Sequence, residues 1–201
     1  ISAIQSNFDH VTLLSVMKFL PVQKTLKNGS VVTIREATKK DAENLLHTVS
    51  KYIIDSEYLL TTIEEFNPTI QEEKRWIETL NHNRNCLLLV AVHEKKIIGN
   101  IDLKGEPRKK TRHNALLGIG ILKNWRGLGL GEILMQCAID WARQSLTLET
   151  LWLHVIARHE QAIALYKKMG FEVAHVQKDF IKYPDGSYDD NIIMKLPVKS
   201  N

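Results

Sequence analysis

Three glycines stand at every second position, at Gly127, Gly129 and Gly131, directly before a strongly amphipathic stretch. Glycine can adopt positive φ angles, and it lets a ligand approach the backbone closely. The first turn of a helix also leaves several backbone N–H groups unpaired, at the positive end of the helix dipole. The pattern therefore predicts a loop that binds a phosphate group, although the spacing alone fits a tight connection equally well.

Residue identity excludes two common phosphate-binding loops. No Gly-Lys-Ser/Thr sequence follows the turn, as the loop of nucleoside triphosphatases requires. The dinucleotide-binding fingerprint needs glycine or alanine at position 132, which is Glu132 here. That fingerprint also belongs to the first strand of a βαβ unit, whereas this turn lies in the middle of the chain.

Two blocks of sequence together indicate a family. Arg126-x-x-Gly129-x-Gly131, after a predicted strand and at the start of a helix, resembles the pyrophosphate-binding motif of the GNAT superfamily of acyl-CoA N-acyltransferases. The second block, at 151–155 and 162–171, reads Leu-Trp-Leu-His-Val and then Ala-x-x-Leu-Tyr-x-Lys-x-Gly-Phe. It is similar to the other signature of that superfamily. The order of the predicted elements fits the superfamily over residues 30–196.

The resemblance implies that acetyl-CoA is the cosubstrate and that no metal is needed. The acetyl group is expected to pass to a primary amine of a small molecule or of a protein N-terminus. The backbone amides of residues 126–131 and the Arg126 guanidinium suit the CoA diphosphate, because both are donors to an anion.

The strand before the turn is expected to hold the pantetheine arm. In the family this arm lies beside a bulged strand, and Gly118 and Gly120 are placed for a bulge or a close backbone approach. Main-chain groups of Ile119 and Ile121 are expected to meet the arm and the thioester oxygen. The complete set of expected cofactor-binding residues is Ile119, Ile121, Arg126, Gly127, Leu128, Gly129, Leu130, Gly131 and His159.

Tyr166 matches the tyrosine that donates a proton to the CoA sulfur in the family. An acceptor amine with a pKa of about 10 must lose a proton, and the departing thiolate must gain one. Apart from the motif, Tyr166 also fits a core aromatic residue, because it shares a helix face with Ala162 and Met169. With the motif, we expect Tyr166 to be catalytic.

Two positions depart from the family pattern. His159 stands where the family often has asparagine, three residues before the motif alanine. Many members carry a glutamate as general base on the strand before the glycine turn, but residues 115–118 contain no carboxylate. Asp102, a residue such as Glu57, or water could take the proton instead, and the sequence does not choose among them.

Hydrophobic spacing predicts the elements that position these residues. Capping signatures at Thr38 and Thr69 introduce two helices. The expected strands are 31–35, 86–92, 97–103, 115–122, 151–156, 171–181 and 188–196, with further helices after the glycine turn and over 162–169. The order of these elements indicates an α/β (α+β) fold, with a mixed central sheet flanked by helices on both faces. The resemblance implies that this sheet is GNAT-like and mostly antiparallel.

The N-terminal end is expected to stand apart from this domain. The chain begins with Ile1, and Met17 fits a natural start, so residues 1–16 look like extra sequence. We expect 1–24 to be a tail, partly non-native or poorly ordered, and 25–201 to be the N-acetyltransferase domain. No basic segment precedes the apolar stretch near 11–16, so a secretory signal is not expected.

Composition excludes several other classes. The 201 residues are 44% hydrophobic and 25% charged, which rules out a wholly disordered chain. The two cysteines are too few for a disulfide framework or a cysteine-based zinc site, and a cytoplasmic location is expected. The longest apolar runs cannot span a bilayer. His159-Glu160 and His93-Glu94 lack the second histidine of a zinc-protease helix, so no metal site is expected.

Two other interpretations stay open. The missing strand carboxylate is compatible with a non-catalytic CoA-binding or sensor domain. The net charge of +4 and the basic run 108–112 are compatible with a nucleic-acid-binding module, but no aromatic residues interleave that run. We therefore expect an amine substrate as partner, no nucleic acid and no membrane, and a homodimer is compatible with the sequence.

Overall fold

Eight strands and four α-helices make up the fold in a computed structural model, which describes residues 17–199. The strands are β1 (Val22–Thr25), β2 (Val31–Glu36), β3 (Leu87–His93), β4 (Lys96–Gly105), β5 (Asn114–Ile121), β6 (Thr150–Ile156), β7 (Glu172–Lys182) and β8 (Tyr188–Pro197). The helices are α1 (Ala42–Ile54), α2 (Ile70–Asn81), α3 (Leu130–Gln144) and α4 (Glu160–Lys168). From β2 onward this is the order that the sequence predicts.

All eight strands form one sheet in the order β1-β2-β3-β4-β5-β6-β8-β7. Every neighbouring pair is antiparallel except β5 and β6, which are parallel. One core cluster joins the sheet to α3 and α4 through Leu134 and Ala162. A second cluster joins the other face to α1 and α2 through Leu45 and Ile77. The predicted fold, a mixed and mostly antiparallel sheet with helices on both faces, is confirmed.

The two parallel strands separate soon after they meet. Residues 114–116 of β5 pair with residues 150–152 of β6, and the pairing ends there. Beyond that point β5 stays bonded to β4 as far as Ile121, and β6 stays bonded to β8 as far as Ile156. Within the described residues, the β6-facing edge of β5 from Leu117 to Ile121 therefore has no strand partner. The separation opens a wedge in the middle of the sheet.

The start of the fold differs from the expected boundary at residue 25. Val22–Thr25 form β1, which pairs with β2, and Met17 and Phe19 pack against the main core. The Trp141 indole Nε1 also donates to the Met17 carbonyl oxygen at 3.3 Å. Residues 17–24 of the expected tail therefore belong to the packed domain, while residues 1–16 lie outside the described part. Since three of the four β1 residues are exposed, no hydrophobic pattern indicated this strand.

Candidate active site

A cavity of about 610 Å³ lies at the wedge between β5 and β6. Its walls are the C-terminal half of β5, the glycine turn, α4 and the connection that follows α1. Most of the residues expected to bind the cofactor line it, together with the expected catalytic residue: Ile119, Ile121, Arg126, Gly127, Gly129, Gly131, His159 and Tyr166. Leu128 and Leu130 do not line it: Leu128 packs against the core, and Leu130 is fully buried there.

The three glycines of the turn meet different physical demands. Gly127 and Gly129 have φ angles of +75° and +89°, which side chains other than glycine rarely adopt. Gly129 is the N-cap of α3, so the unpaired N–H groups of the first helical turn begin beside the cavity. Gly131 is required for packing instead, because a Cβ there would lie 3.0 Å from Leu165 Cδ2 on α4. The turn thus places amide donors and a helix dipole at the cavity.

Two cationic side chains stand at this end of the cavity. Arg126 donates its Nε to the Ile121 carbonyl oxygen at 2.9 Å, which fixes the guanidinium stem and leaves the terminal N–H groups for another acceptor. Lys27, in the turn between β1 and β2, also lines the cavity and was not expected from the sequence. Its backbone N donates to the Leu128 carbonyl oxygen at 3.1 Å. Only the pairing of β1 with β2 brings position 27 to the glycine turn, so no local signal could have revealed it.

His159 joins two walls of the cavity. It is the N-cap residue of α4, and its ring stacks on Tyr58 with centroids 4.0 Å apart and an angle of 5° between the planes. Burial and then the charge of Arg126 lower the pKa of His159, against an opposing effect of Glu57. The imidazole is therefore mostly neutral at pH 7, and it holds the connection after α1 against α4.

Tyr166 is both packed and in contact with the cavity. Its ring is 8% exposed and lies 6.3 Å from the Phe171 ring, centroid to centroid. Burial raises the pKa of its hydroxyl to about 12, so the group keeps its proton throughout the neutral range. The two interpretations of Tyr166 are therefore compatible, because the ring fills the core while the residue lines the cavity.

Gly118 and Gly120 of β5 make room for side chains on the sheet face that α1 covers, and they do not form a bulge. The register between β4 and β5 is continuous from Gly105–Ala115 to Gly99–Ile121. A Cβ on Gly120 would lie 2.3 Å from Cζ of Tyr52, and one on Gly118 would lie 3.0 Å from Oδ1 of Asp102. The expected bulge is therefore wrong. The close approach of a ligand to this backbone stays a prediction, and the groups that the two glycines admit in the structure are side chains of α1 and β4.

Replacing Gly120 by alanine is expected to destabilise the fold by about 2 kcal/mol, since the new methyl group overlaps the Tyr52 ring. Thermal unfolding of the Gly120→Ala, Tyr52→Ala and double variants measures this coupling. The alanine at 120 should cost much less once the Tyr52 ring is gone. Strictly additive costs would contradict the steric origin.

A second cavity, of about 620 Å³, adjoins the first. Ser56 and Leu59, in the connection after α1, line both cavities. The second one also contains Glu57, Asp185 in the β7–β8 turn, and Arg158. The connection after α1 is therefore a wall common to both cavities.

Metal-binding clusters and membrane-spanning helices are both absent from the described residues. Between residues 17 and 199, no group of three or more His, Cys, Asp or Glu side chains is arranged to hold a metal ion. In the same stretch, no helix has both the length and the apolar character needed to cross a bilayer.

Comparison with known proteins identifies the family. The family model described as "Acetyltransferase (GNAT) family" matches residues 52–171. An L-amino acid N-acetyltransferase of Escherichia coli K12 is 26% identical over 165 residues, which cover 82% of this chain and 97% of that protein. The ribosomal protein bS18-alanine N-acetyltransferase of the same strain is 36% identical over 83 residues, 41% of this chain and 55% of that enzyme.

A solved structure shows the same fold over nearly its whole length. The crystal structure of a GNAT-family acetyltransferase from Streptococcus pneumoniae superposes with a TM-score of 0.80 and 29% identity. The match covers 83% of this chain and 99% of that one. The chain therefore belongs to the GNAT family of acetyltransferases and is an acyltransferase.

Proposed function

We propose that the wedge cavity binds acetyl-CoA and that its residues promote transfer of the acetyl group to a primary amine. One observation carries this proposal: the glycine turn, the unpaired edge of β5 and Tyr166 all border one cavity. The amides of residues 126–131 hold the diphosphate, aided by Arg126 and Lys27. The donor set fits this group, since amide N–H groups at a helix start and two cations complement a diphosphate.

The edge of β5 holds the arm that carries the acetyl group. Backbone groups of Ile119 and Ile121 bond to the extended pantetheine, which takes the place of a neighbouring strand. A backbone N–H of this edge also stabilises the negative charge that develops on the thioester oxygen. The absence of strand pairing beyond residue 116 on the β6 side supports this assignment.

Tyr166 gives the departing CoA sulfur its proton. Its high pKa, about 12, keeps the phenol protonated at the moment when the thiolate leaves. Buried packing against Phe171 holds the ring in place, so little reorganisation is needed. In this assignment His159 is a wall of the cofactor site that links it to the connection after α1.

The acceptor is an α-amine, either of an amino acid or of a peptide N-terminus. The E. coli relatives bear names for amino acid and for ribosomal protein alanine acetylation, and both reactions use an α-amine. The wall of the second cavity carries Glu57 and Asp185 together with Arg158, and Arg158 forms an ion pair with Asp189. The two remaining carboxylates favour entry of an ammonium group on this side. Two cysteines without a disulfide, Cys86 and Cys137, fit a cytoplasmic location.

A panel of amines tests this function. Release of free CoA thiol is measured with acetyl-CoA and three acceptor sets: L-amino acids, short peptides with a free N-terminus, and N-terminally blocked lysine peptides. Thiol release is expected with the first or second set, because both offer an α-amine. The amine of a peptide N-terminus, with a pKa of about 8, is also more often neutral than a lysine amine with a pKa of about 10.4. Release with blocked lysine peptides alone would contradict the α-amine assignment.

Replacing Lys27 by alanine is expected to raise the KM for acetyl-CoA about 5-fold while kcat changes little, because a partly exposed ion pair contributes about 1 kcal/mol. The effect should shrink in high salt, which screens the charge. Steady-state kinetics at two ionic strengths measures it. The exposed Lys40, before α1, provides a control. An equal effect in the Lys40→Ala variant would argue against a specific role for Lys27.

A further inference from the structure

A cluster of polar side chains is buried on the sheet face that α1 and α2 cover. Asn100 and Asp102 of β4 are 4% and 8% exposed, and Glu73 of α2 is 7% exposed. The Tyr52 hydroxyl of α1 donates to Asn100 Oδ1 at 3.2 Å. Lys104 of β4 completes the cluster. Burial of two carboxylates in one place costs stability and needs an explanation.

The Asp102 carboxylate is poorly satisfied for a buried anion. Lys104 Nζ lies 3.6 Å from Asp102 Oδ2, which is an ion-pair distance and longer than a hydrogen bond. The Asp102 side chain is 11% exposed. The carboxylate thus keeps acceptor capacity beyond its ion pair with Lys104.

Gly118 connects this carboxylate with the acetyl-CoA groove. Gly118 lines the wedge cavity and is paired in register with Asp102 across β4 and β5. A side chain at 118 would press on Asp102, since its Cβ would lie 3.0 Å from Oδ1. Asp102 does not itself line the cavity, so Gly118 is the residue that links the carboxylate with the groove. The next residue, Ile119, is one of the two whose main-chain groups we expect to meet the arm and the thioester oxygen.

We propose that Asp102 is the general base of the reaction and accepts a proton from the acceptor amine, directly or through one water. The assignment rests on the proposed function. Residues 115–118 of β5 carry no carboxylate. Asp102, on the neighbouring strand β4, supplies one on the sheet face toward which position 118 points.

The acceptor amine, Asp102, Tyr166 and solvent account for every proton in the reaction. The acceptor enters as an ammonium ion, and Asp102 takes one proton from it and later passes that proton to solvent. The nitrogen lone pair forms the C–N bond, and the C–S bond breaks with its electron pair moving to sulfur. Tyr166 protonates the sulfur, and the second nitrogen proton restores the Tyr166 hydroxyl. The products are the N-acetyl amine, CoA thiol and one proton.

The groups around Asp102 set its pKa in a range that suits a general base at neutral pH. Burial raises the pKa of Asp102 to about 6, against the opposing charge of Lys104. Burial also raises the pKa of Glu73 to about 7, again against Lys104. The other titratable neighbours are Tyr52 on α1 and Cys86 before β3, and both pKa values are raised, so these groups are neutral at pH 7. Asp102 is therefore mostly ionised at pH 7 and can accept a proton.

The Asp102→Asn variant tests the role of Asp102. We expect kcat to fall about 100- to 1,000-fold, as is typical for removal of a general base, while acetyl-CoA affinity stays within about 2-fold. In the wild type, kcat should rise with pH through about 6, as Asp102 loses its proton. The variant should lack this rise. It should also melt no earlier than the wild type, because a buried charge has been removed.

Two control variants separate this role from neighbouring groups. His159→Asn removes an imidazole of the cavity wall whose pKa lies below its ordinary value, and the rise near pH 6 should persist. Glu73→Gln removes a negative charge that shares Lys104, so the rise should move to lower pH. A structural role for the cluster would not produce that shift.

Clear outcomes would overturn the proposal. A folded Asp102→Asn variant that keeps kcat within about 3-fold and the same pH profile excludes Asp102 as base. If the Asp102→Asn variant fails to fold, the pH profile of the wild type decides. Asp102 is excluded as the base if kcat does not rise near pH 6, or if the His159→Asn substitution abolishes that rise. Either result leaves the proposed function standing, because wild-type acetyl transfer is measured in the same assays.

Discussion

Acetyl-CoA affinity is expected to fall about 100-fold when Gly129 is replaced by alanine. This fall corresponds to the loss of two charge-assisted hydrogen bonds of about 1.5 kcal/mol each. Gly129 has a φ angle of +89° and is the N-cap of α3. A side chain there is strained, and relaxation of that strain rotates the amides that face the diphosphate. Isothermal titration with CoA measures the affinity of the folded variant.

Gly186 offers a matched control for the strain itself. It has a φ angle of +86° in the β7–β8 turn, and an added Cβ would meet no atom within 4 Å. Gly186→Ala should therefore carry a similar backbone cost and leave CoA affinity unchanged. If Gly129→Ala binds CoA as the wild type does, or if both variants lose affinity alike, the glycine turn does not hold the diphosphate.

Turnover is expected to drop about 100-fold when Tyr166 is replaced by phenylalanine, since proton donation to a leaving group contributes 100-fold or more. The KM for acetyl-CoA should change little, because phenylalanine keeps the ring that packs against Phe171. The loss should appear in kcat and kcat/KM together, as expected for an interaction made in the transition state. Stopped-flow detection of CoA thiol separates the chemical step from product release.

The acyl donor offers a second probe of Tyr166. A thioester with a less basic leaving thiol needs less protonation, so the gap between wild type and Tyr166→Phe should narrow with such an acyl donor. Tyr188→Phe, at an exposed position on β8, serves as the control. A Tyr166→Phe variant with full kcat would remove Tyr166 from its assigned role.

The parts of the fold that carry local signals were predictable. The glycine turn with its following amphipathic helix, and the capping boxes before α1 and α2, depend on residues within a few positions of one another. At Thr69 the backbone N donates to Glu72 Oε2 at 2.8 Å, as the capping signature predicts. The element order from β2 onward followed from the same spacing.

The features that depend on distant residues were not predictable. β1 is exposed and is stabilised by its ladder with β2, so its sequence lacks a hydrophobic pattern. Lys27 reaches the glycine turn only because that hairpin folds over it. Gly118 and Gly120 suggested a bulge, but the side chains that require them lie 16 and 68 residues away in sequence, at Asp102 and Tyr52.

The general base is another feature that the sequence alone could not assign. Asp102 and Glu57 were equivalent candidates in the sequence, because neither lies in a motif. Strand register distinguishes them: it pairs Asp102 with Gly118, a residue of the cavity wall. Glu57 lines the second cavity instead, on the side from which we expect the acceptor.

Product analysis after incubation with isotopically labelled acetyl-CoA and an α-amine tests the central claim most directly. Mass spectrometry identifies the acetylated amine, and a thiol reagent counts the CoA released. The wedge cavity and Tyr166 predict one N-acetyl product for each CoA thiol, with transfer that requires the amine and persists over many turnovers. Tight acetyl-CoA binding without amine-dependent release of CoA, for every α-amine supplied, would contradict this and indicate a CoA-binding domain without catalysis.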